Sequence, residues 1–135
     1  MIYPSPDELS LPFWEAARRR ELVIQRCEEC RARWHPPLPR CPECHGSVVS
    51  WCPVSGRGVV YSYTDVHHSV HAQTQAWLPY RVYLIDLDEG PRLVSSQRDV
   101  GSTDGMEMGT RVRVSFEDIG NGLVLPQFVP EAGMP

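Results

Sequence analysis

Lysine is missing from this chain of 135 residues, in which all 13 basic side chains are arginine. That excludes a Schiff-base lysine and a P-loop lysine within this polypeptide. Long apolar runs are missing as well. Hydrophobic residues make up 41% of the chain, an ordinary share for a globular protein. No run approaches the roughly 20 apolar residues that a membrane-spanning helix needs. A surplus of positive charge is also lacking, since the net charge is −4. Met1 to Ser50 balances seven acidic residues with seven arginines, whereas from Trp51 onward ten acidic residues face six arginines. A sequence-independent nucleic-acid surface needs the opposite sign, because its affinity comes mostly from neutralising phosphates. The opening residues, Met1-Ile2-Tyr3-Pro4-Ser5-Pro6-Asp7-Glu8, are neither basic nor apolar. They do not read as a secretory leader, so the expected location is cytoplasmic.

What is present begins with cysteine. Cys27-Glu28-Glu29-Cys30 and Cys41-Pro42-Glu43-Cys44 form two Cys-x-x-Cys pairs with ten residues between them. Two residues between cysteines let one tight turn aim both sulfurs at one point. Two such knuckles supply four thiolates at tetrahedral corners, the donor set of structural zinc. Four thiolates also suit iron. Disulfides would need an oxidising compartment, and a redox Cys-x-x-Cys predicts one pair rather than two. With all four positions filled by protein, no place remains for a catalytic water. The second knuckle runs on into His45-Gly46, where a glycine suits a backbone that bends back around the metal. Cys52 falls off the paired spacing and reads as a small buried apolar residue.

The rest divides into one short helix and a series of strands. Ser10 is the expected N-cap, and Pro12 falls in the first turn, where its missing N–H costs little. A helix is predicted from Leu11 to about Arg20, with Phe13 and Ala17 on one face and Trp14 beside them. Leu22-Val23-Ile24 reads as a strand entering the first knuckle, and Arg31–Arg40, rich in proline, as the loop between knuckles. Val59 to Thr64 alternates with period two. Tyr80–Asp88 is a second strand, with Val82, Leu84 and Asp86 on one face and Tyr83, Ile85 and Leu87 on the other. Asp88-Glu89-Gly90-Pro91 turns it back into Arg92–Ser96. Gly101–Gly109 reads as a polar loop. In Thr110–Phe116, Val112, Val114 and Phe116 are expected to face the core. Gly120-Asn121-Gly122 turns into a last strand, Leu123–Val129. The predicted class is mainly β: an N-terminal helix, a zinc ribbon, then five short strands forming an OB-fold barrel, with a small open sandwich as the alternative. The expected division is 1–21 extension and helix, 22–52 zinc ribbon, 53–130 OB fold and 131–135 tail.

With these residues in view, the chain resembles the acyl-CoA-associated family that joins a rubredoxin-like zinc ribbon to an OB fold, long catalogued as a domain of unknown function. The resemblance is carried by Phe13-Trp14-Glu15-Ala16, Glu21-Leu22, the two knuckles with Pro36 between them, and Gly56-Arg57-Gly58-Val59-Val60-Tyr61-Ser62-Tyr63-Thr64. It continues through Pro79-Tyr80, Asp88-Glu89-Gly90-Pro91-Arg92-Leu93, Met108-Gly109-Thr110-Arg111-Val112-Arg113-Val114 and Pro126-Gln127-Phe128. The polar stretch Gly101–Gly105 departs from the family pattern. The resemblance implies an accessory subunit rather than a free-standing enzyme. Its implied partner is a thiolase-like or lipid-transfer-protein-like catalytic subunit, or an acyl-CoA hydratase, in a hetero-oligomer. The CoA thioester is then a substrate of the complex, as in retro-aldol side-chain cleavage of steroid acyl-CoA or in acyltransfer.

The residues themselves give no catalytic constellation: there is no Ser/His/Asp motif spacing and no phosphate-cradling glycine loop. Candidate ligand or interface residues are Phe13, Trp14, Arg31, Arg33, His67, His68, Trp77 and Tyr80. Arginines around the knuckles read as a solvated surface balancing four thiolates, or as a patch for CoA phosphates. His67 and His68 read as polar loop, or as neighbours of a thioester in a partner's cleft; His67 with His71 would need a helix to share a metal. Trp77 is either a lid over the core or an interface anchor. Tyr61, Tyr63 and Tyr83 could stack bases in a nucleic-acid-binding OB module, a reading that the charge opposes, and a catalytic zinc would need an open position.

Overall fold

Pro12 in the first turn and three small or aromatic residues on one stripe make Leu11–Arg18 helical (α1), burying Phe13, Ala16 and Ala17. The computed structural model describes residues 6–68, 79–97 and 105–131. Ser10 is the N-cap residue, but its side chain does not cap the helix. Its hydroxyl accepts instead from Asp7 N (3.1 Å), while Asp7 Oδ1 accepts from Ser10 N at 2.8 Å. The helix stops two residues short of the expected Arg20, which takes a left-handed φ of 64°.

The ribbon is a three-stranded sheet in the order β2-β1-β3, with β1 Val23–Cys27, β2 Arg33–Trp34 and β3 Val49–Pro53. The sequence pattern predicts a strand over Leu22-Val23-Ile24 alone, and neither β2 nor β3. Both depend on pairing with β1, as in Gln25 opposite Trp34 and Ile24 opposite Cys52. The second sheet has the order β6-β5-β4-β7-β8, all antiparallel. Its strands are β4 Arg57–Val66, β5 Tyr80–Leu87, β6 Arg92–Gln97, β7 Arg111–Gly120 and β8 Leu123–Pro130. The faces of β5 fall as period two requires, with Tyr83, Ile85 and Leu87 buried. On β7, Val112 is fully buried whereas Val114 and Phe116 are half-buried against the core.

The mainly β architecture stands, but the expected barrel is not closed. Among the described residues no ladder joins β6 to β8; across the seam Ser95 Oγ lies 3.5 Å from Gln127 Oε1. Two features keep it open. Pro126, in the middle of β8, has no N–H to give to a neighbouring strand. Phe13 and Trp14 of α1, with His35 from the loop between the knuckles, also sit at the seam beside Leu93, Val94, Leu125 and Pro126.

The core crosses both sheets. Phe13 of α1, Leu22 beside β1 and Ile24 on it belong to one buried cluster with Val60, Tyr83, Ile85, Leu87, Leu93, Val112 and Phe128. A smaller cluster under the knuckles holds Cys27, Trp34 and Cys41. Among the described residues, no helix is long and apolar enough to cross a membrane.

Candidate metal centre and the adjoining seam

The two knuckles have the same local build. Cys27 N donates to Ala32 O (2.8 Å) and Arg31 N to Cys27 O (3.0 Å); Cys41 N donates to Gly46 O (3.0 Å) and His45 N to Cys41 O (3.0 Å). The residue after each second cysteine takes a left-handed φ, 68° at Arg31 and 64° at His45. The expected bend at Gly46 is thus made by His45. Gly46 has a close neighbour rather than a special φ: a Cβ there would lie 2.7 Å from Glu29 Oε1, the movable tip of an exposed side chain, and 3.3 Å from Cys44 Sγ.

These turns bring the four sulfurs of Cys27, Cys30, Cys41 and Cys44 within 4.8 Å of one another. Four soft donors converging on one point fit a tetrahedral zinc ion. Backbone N–H groups also point at the sulfurs, at 3.3 Å from Glu29 and 3.4 Å from Cys30 to Cys27 Sγ. Glu43 and Cys44 do the same for Cys41 Sγ at 3.3 and 3.4 Å. Glu28 ties the first knuckle to β3 by accepting from Ser50 Oγ at 2.6 Å and pairing with Arg26 at 3.0 Å. The Ser50 hydrogen bond, with help from Arg26, holds its carboxyl below the usual range. Cys52 is half-buried and packs on the core of the second sheet, away from the four.

Two residues passed over in the sequence hold the loop between the knuckles. Gln25 is a polar side chain in a buried strand, 3% exposed. Its Oε1 accepts from Trp34 Nε1 and from Leu38 N, both at 2.6 Å. A glutamine following Leu22-Val23-Ile24 was the available signal, because a buried amide must find partners. His35, joined to Pro36 by a cis peptide, places its ring 5.3 Å from that of Phe13. Burial lowers its pKa from 6.5, and its Nδ1 is buried without a hydrogen-bond partner. Nothing in the sequence marked it.

His35, Phe13 and Trp14 line a pocket of about 180 Å³ at the seam, with Val94 and Leu125. A second hollow of about 180 Å³ continues along β6 and β8 past Val82, Ser95 and Gln127. Val94 lies at the join and is 66% exposed. Of the interface candidates among the described residues, only Phe13 and Trp14 meet here. Arg31 and Arg33 are exposed on the ribbon. His67 and His68 are exposed beyond the end of β4, and Tyr80 opens β5 opposite Val66. That end of the sheet is braced by Arg81, which pairs with Asp65 at 2.6 Å and donates to Met106 O at 2.9 Å. Met106 N in turn donates to the Tyr83 hydroxyl at 2.8 Å. The His67–His71 pairing and Trp77 lie outside the described residues.

Comparison with known proteins meets this geometry from both ends. Residues 14–50 match the model of the ChsH2 rubredoxin-like zinc ribbon domain, and residues 51–117 that of the ChsH2 C-terminal OB-fold domain. The chain is similar to a probable enoyl-CoA hydratase alpha subunit of Thermomonospora curvata, 40% identical over 119 residues, which cover 87% of this chain and 36% of that protein. It is 30% identical over 118 residues to the 3-oxo-4,17-pregnadiene-20-carboxyl-CoA hydratase alpha subunit of Mycobacterium tuberculosis, covering 87% of this chain and 37% of that one. The chain thus spans little more than a third of the length of these two relatives. Among solved structures, a chain of the "Ltp2-ChsH2(DUF35) aldolase" superposes with a TM-score of 0.80 at 37% identity, covering 95% of this chain and 98% of that one.

Proposed function

The chain belongs to the ChsH2 family of rubredoxin-like zinc ribbons joined to an OB fold, and on that premise we propose that it is an accessory, non-catalytic subunit of an acyl-CoA-processing complex. The observation that carries this is the end-to-end likeness to a chain of an aldolase complex, at 37% identity over 98% of that chain. The catalytic partner is a lipid-transfer-protein-like member of the thiolase superfamily. The reaction it performs is retro-aldol cleavage of a bulky, steroid-like acyl-CoA thioester.

In this reading Cys27, Cys30, Cys41 and Cys44 hold one structural zinc, which orders the ribbon (22–52) against the OB fold (53–130). The ion supplies no reaction chemistry when bound, since all four of its positions go to thiolates. Trp14, half-buried at the seam, and the buried Phe13 ring that supports it anchor the partner. Arg31 and Arg33 lie in the reach of the CoA phosphates, and His67, His68, Trp77 and Tyr80 lie towards the thioester channel. The complex works in the cytoplasm and takes no nucleic acid.

A second reading is favoured by the names of the two hydratase relatives. There the same fold serves water addition to an enoyl-CoA, as one part of a longer subunit. Affinity purification from the native host, with identification of the stoichiometric companion, separates the two. A thiolase-superfamily companion supports the aldolase reading, and reconstitution should then release a ketone or aldehyde from a 3-hydroxyacyl-CoA. A hydratase companion supports the second reading. Recovery of the chain alone, or with nucleic acid, would reject both.

A further inference from the structure

The four sulfurs that converge at the knuckles are not equivalent. Cys27 and Cys41, the first of each pair, are fully buried, whereas Cys30 and Cys44 are exposed. Each buried sulfur accepts two backbone N–H groups. Hydrogen bonds to a thiolate draw off its electron density, and burial denies access to a reagent. Access therefore lies at Cys30 and Cys44, while the hydrogen-bonded pair, Cys27 and Cys41, is shielded. The close approaches cross between knuckles: Cys30 Sγ lies 3.5 Å from Cys41 Sγ, and Cys44 Sγ 3.6 Å from Cys27 Sγ. The sulfur of each exposed cysteine thus has that of a buried cysteine of the opposite knuckle beside it.

We infer that Cys30 and Cys44 are modification sites, the positions at which a peroxide or other soft electrophile enters the metal centre. The Cys30 thiolate attacks one oxygen of a peroxide. An S–O bond forms, the O–O bond breaks, and hydroxide leaves and takes up a proton, giving a sulfenic acid and water. The Cys41 thiolate then attacks that sulfur. An S–S bond forms, the S–O bond breaks, and a second hydroxide leaves as water. The two sulfurs have given up two electrons and the peroxide has taken both. Cys44 and Cys27 follow the same course. Either event removes two of the four thiolates, and a two-thiolate remnant does not retain zinc against a chelator. The inference rests on the metal-site reading of the four cysteines.

The test uses the full chain loaded with zinc, its metal content measured first. Hydrogen peroxide is added below one equivalent. Zinc release is followed with a chromophoric chelator, and the remaining thiols are alkylated and mapped by mass spectrometry. The expected result is loss of Cys30 and Cys44 several-fold faster than loss of Cys52, zinc release in proportion, Cys30–Cys41 or Cys27–Cys44 linkages, and recovery with dithiothreitol and zinc. A Cys52→Ala variant should release zinc at the same rate. Oxidation confined to Cys52 with zinc retained would overturn the inference, as would initial sulfenic-acid trapping at Cys27 and Cys41 rather than at their exposed partners. A chain that holds no zinc at the outset would instead remove the metal-site reading, and this inference with it.

Discussion

The ring of Phe13, in the N-terminal helix, lies 5.3 Å from the imidazole of His35, in the loop between the two metal knuckles. Phe13 also belongs to the buried cluster that contains Val60, Tyr83 and Phe128 of the second sheet. One side chain therefore touches helix, ribbon and OB fold. A helix of eight residues has little stability alone, so this contact holds it in place.

Replacing Phe13 with Ala should cost about 3 kcal/mol, the usual size for deleting a buried aromatic ring. Urea denaturation measures it directly. The partner's affinity should fall as well, because Trp14, 5.2 Å away and edge-on to Phe13, loses its support. A variant with unchanged stability would show that α1 is not a packed part of the fold.

Zinc removal should melt the whole described fold in one transition rather than the ribbon alone. Structural zinc is worth about 10–16 kcal/mol in small finger peptides, against about 5–15 kcal/mol for the net stability of a domain. Leu22 and Ile24 lie within five residues of Cys27, yet they are buried with the second sheet, so losing the knuckles exposes part of the common core. Calorimetry with and without a strong chelator checks this. Two separate transitions after chelation, with the upper one unmoved, would show that the OB fold stands by itself.

Gln25→Leu should destabilise the ribbon by about 2 kcal/mol, because it leaves the buried donor Trp34 Nε1 and the part-buried Leu38 N without their acceptor. Trp34→Phe removes one of those donors. A double-mutant cycle should therefore give a double variant less destabilised than the sum of the singles. Strict additivity would mean that the hydrogen bond carries no coupling energy.

Gly58→Ala should be among the most damaging small changes in the chain. A Cβ at Gly58 would fall on the backbone carbonyl oxygen of Asp86 and lie 3.1 Å from Ile85 Cγ2. Backbone in a paired strand cannot swing aside as a side-chain tip can. Crowding of this kind costs about 3 kcal/mol, read as a drop in the urea midpoint at unchanged m-value.

The sequence disclosed whatever depends on short-range pattern. The knuckle spacing, the alternation in Tyr80–Asp88 and the glycine turn at Gly120–Gly122 are each written within ten or so residues. What it hid depends on distant partners. β2 is two residues long and exists only because Gln25 and Arg26 pair with Trp34 and Arg33. The open seam follows from where α1 comes to rest, which no local pattern records. His35 looks like any loop histidine until Phe13 is placed against it.

That placement makes stability depend on pH. Burial pushes the His35 pKa below its ordinary 6.5, so the folded state holds a neutral ring while the unfolded chain still binds a proton near that value. Stability rises with pH wherever the unfolded state binds more protons. The contribution of His35 is therefore fully present above pH 6.5 and is lost as pH falls below it, levelling off beneath the folded-state pKa. His35→Phe keeps a ring against Phe13, removes the titration, and removes an Nδ1 that is buried without a partner. Urea denaturation of zinc-loaded protein between pH 5 and 7.5 should give the variant a shallower slope than the parent, with equal or greater stability at pH 7.5. Knuckle thiolates also take up protons towards low pH, but they do so in both proteins, so the difference between slopes isolates His35. Parallel curves would mean that the imidazole is protonated within the fold and that its contact with Phe13 tolerates the charge.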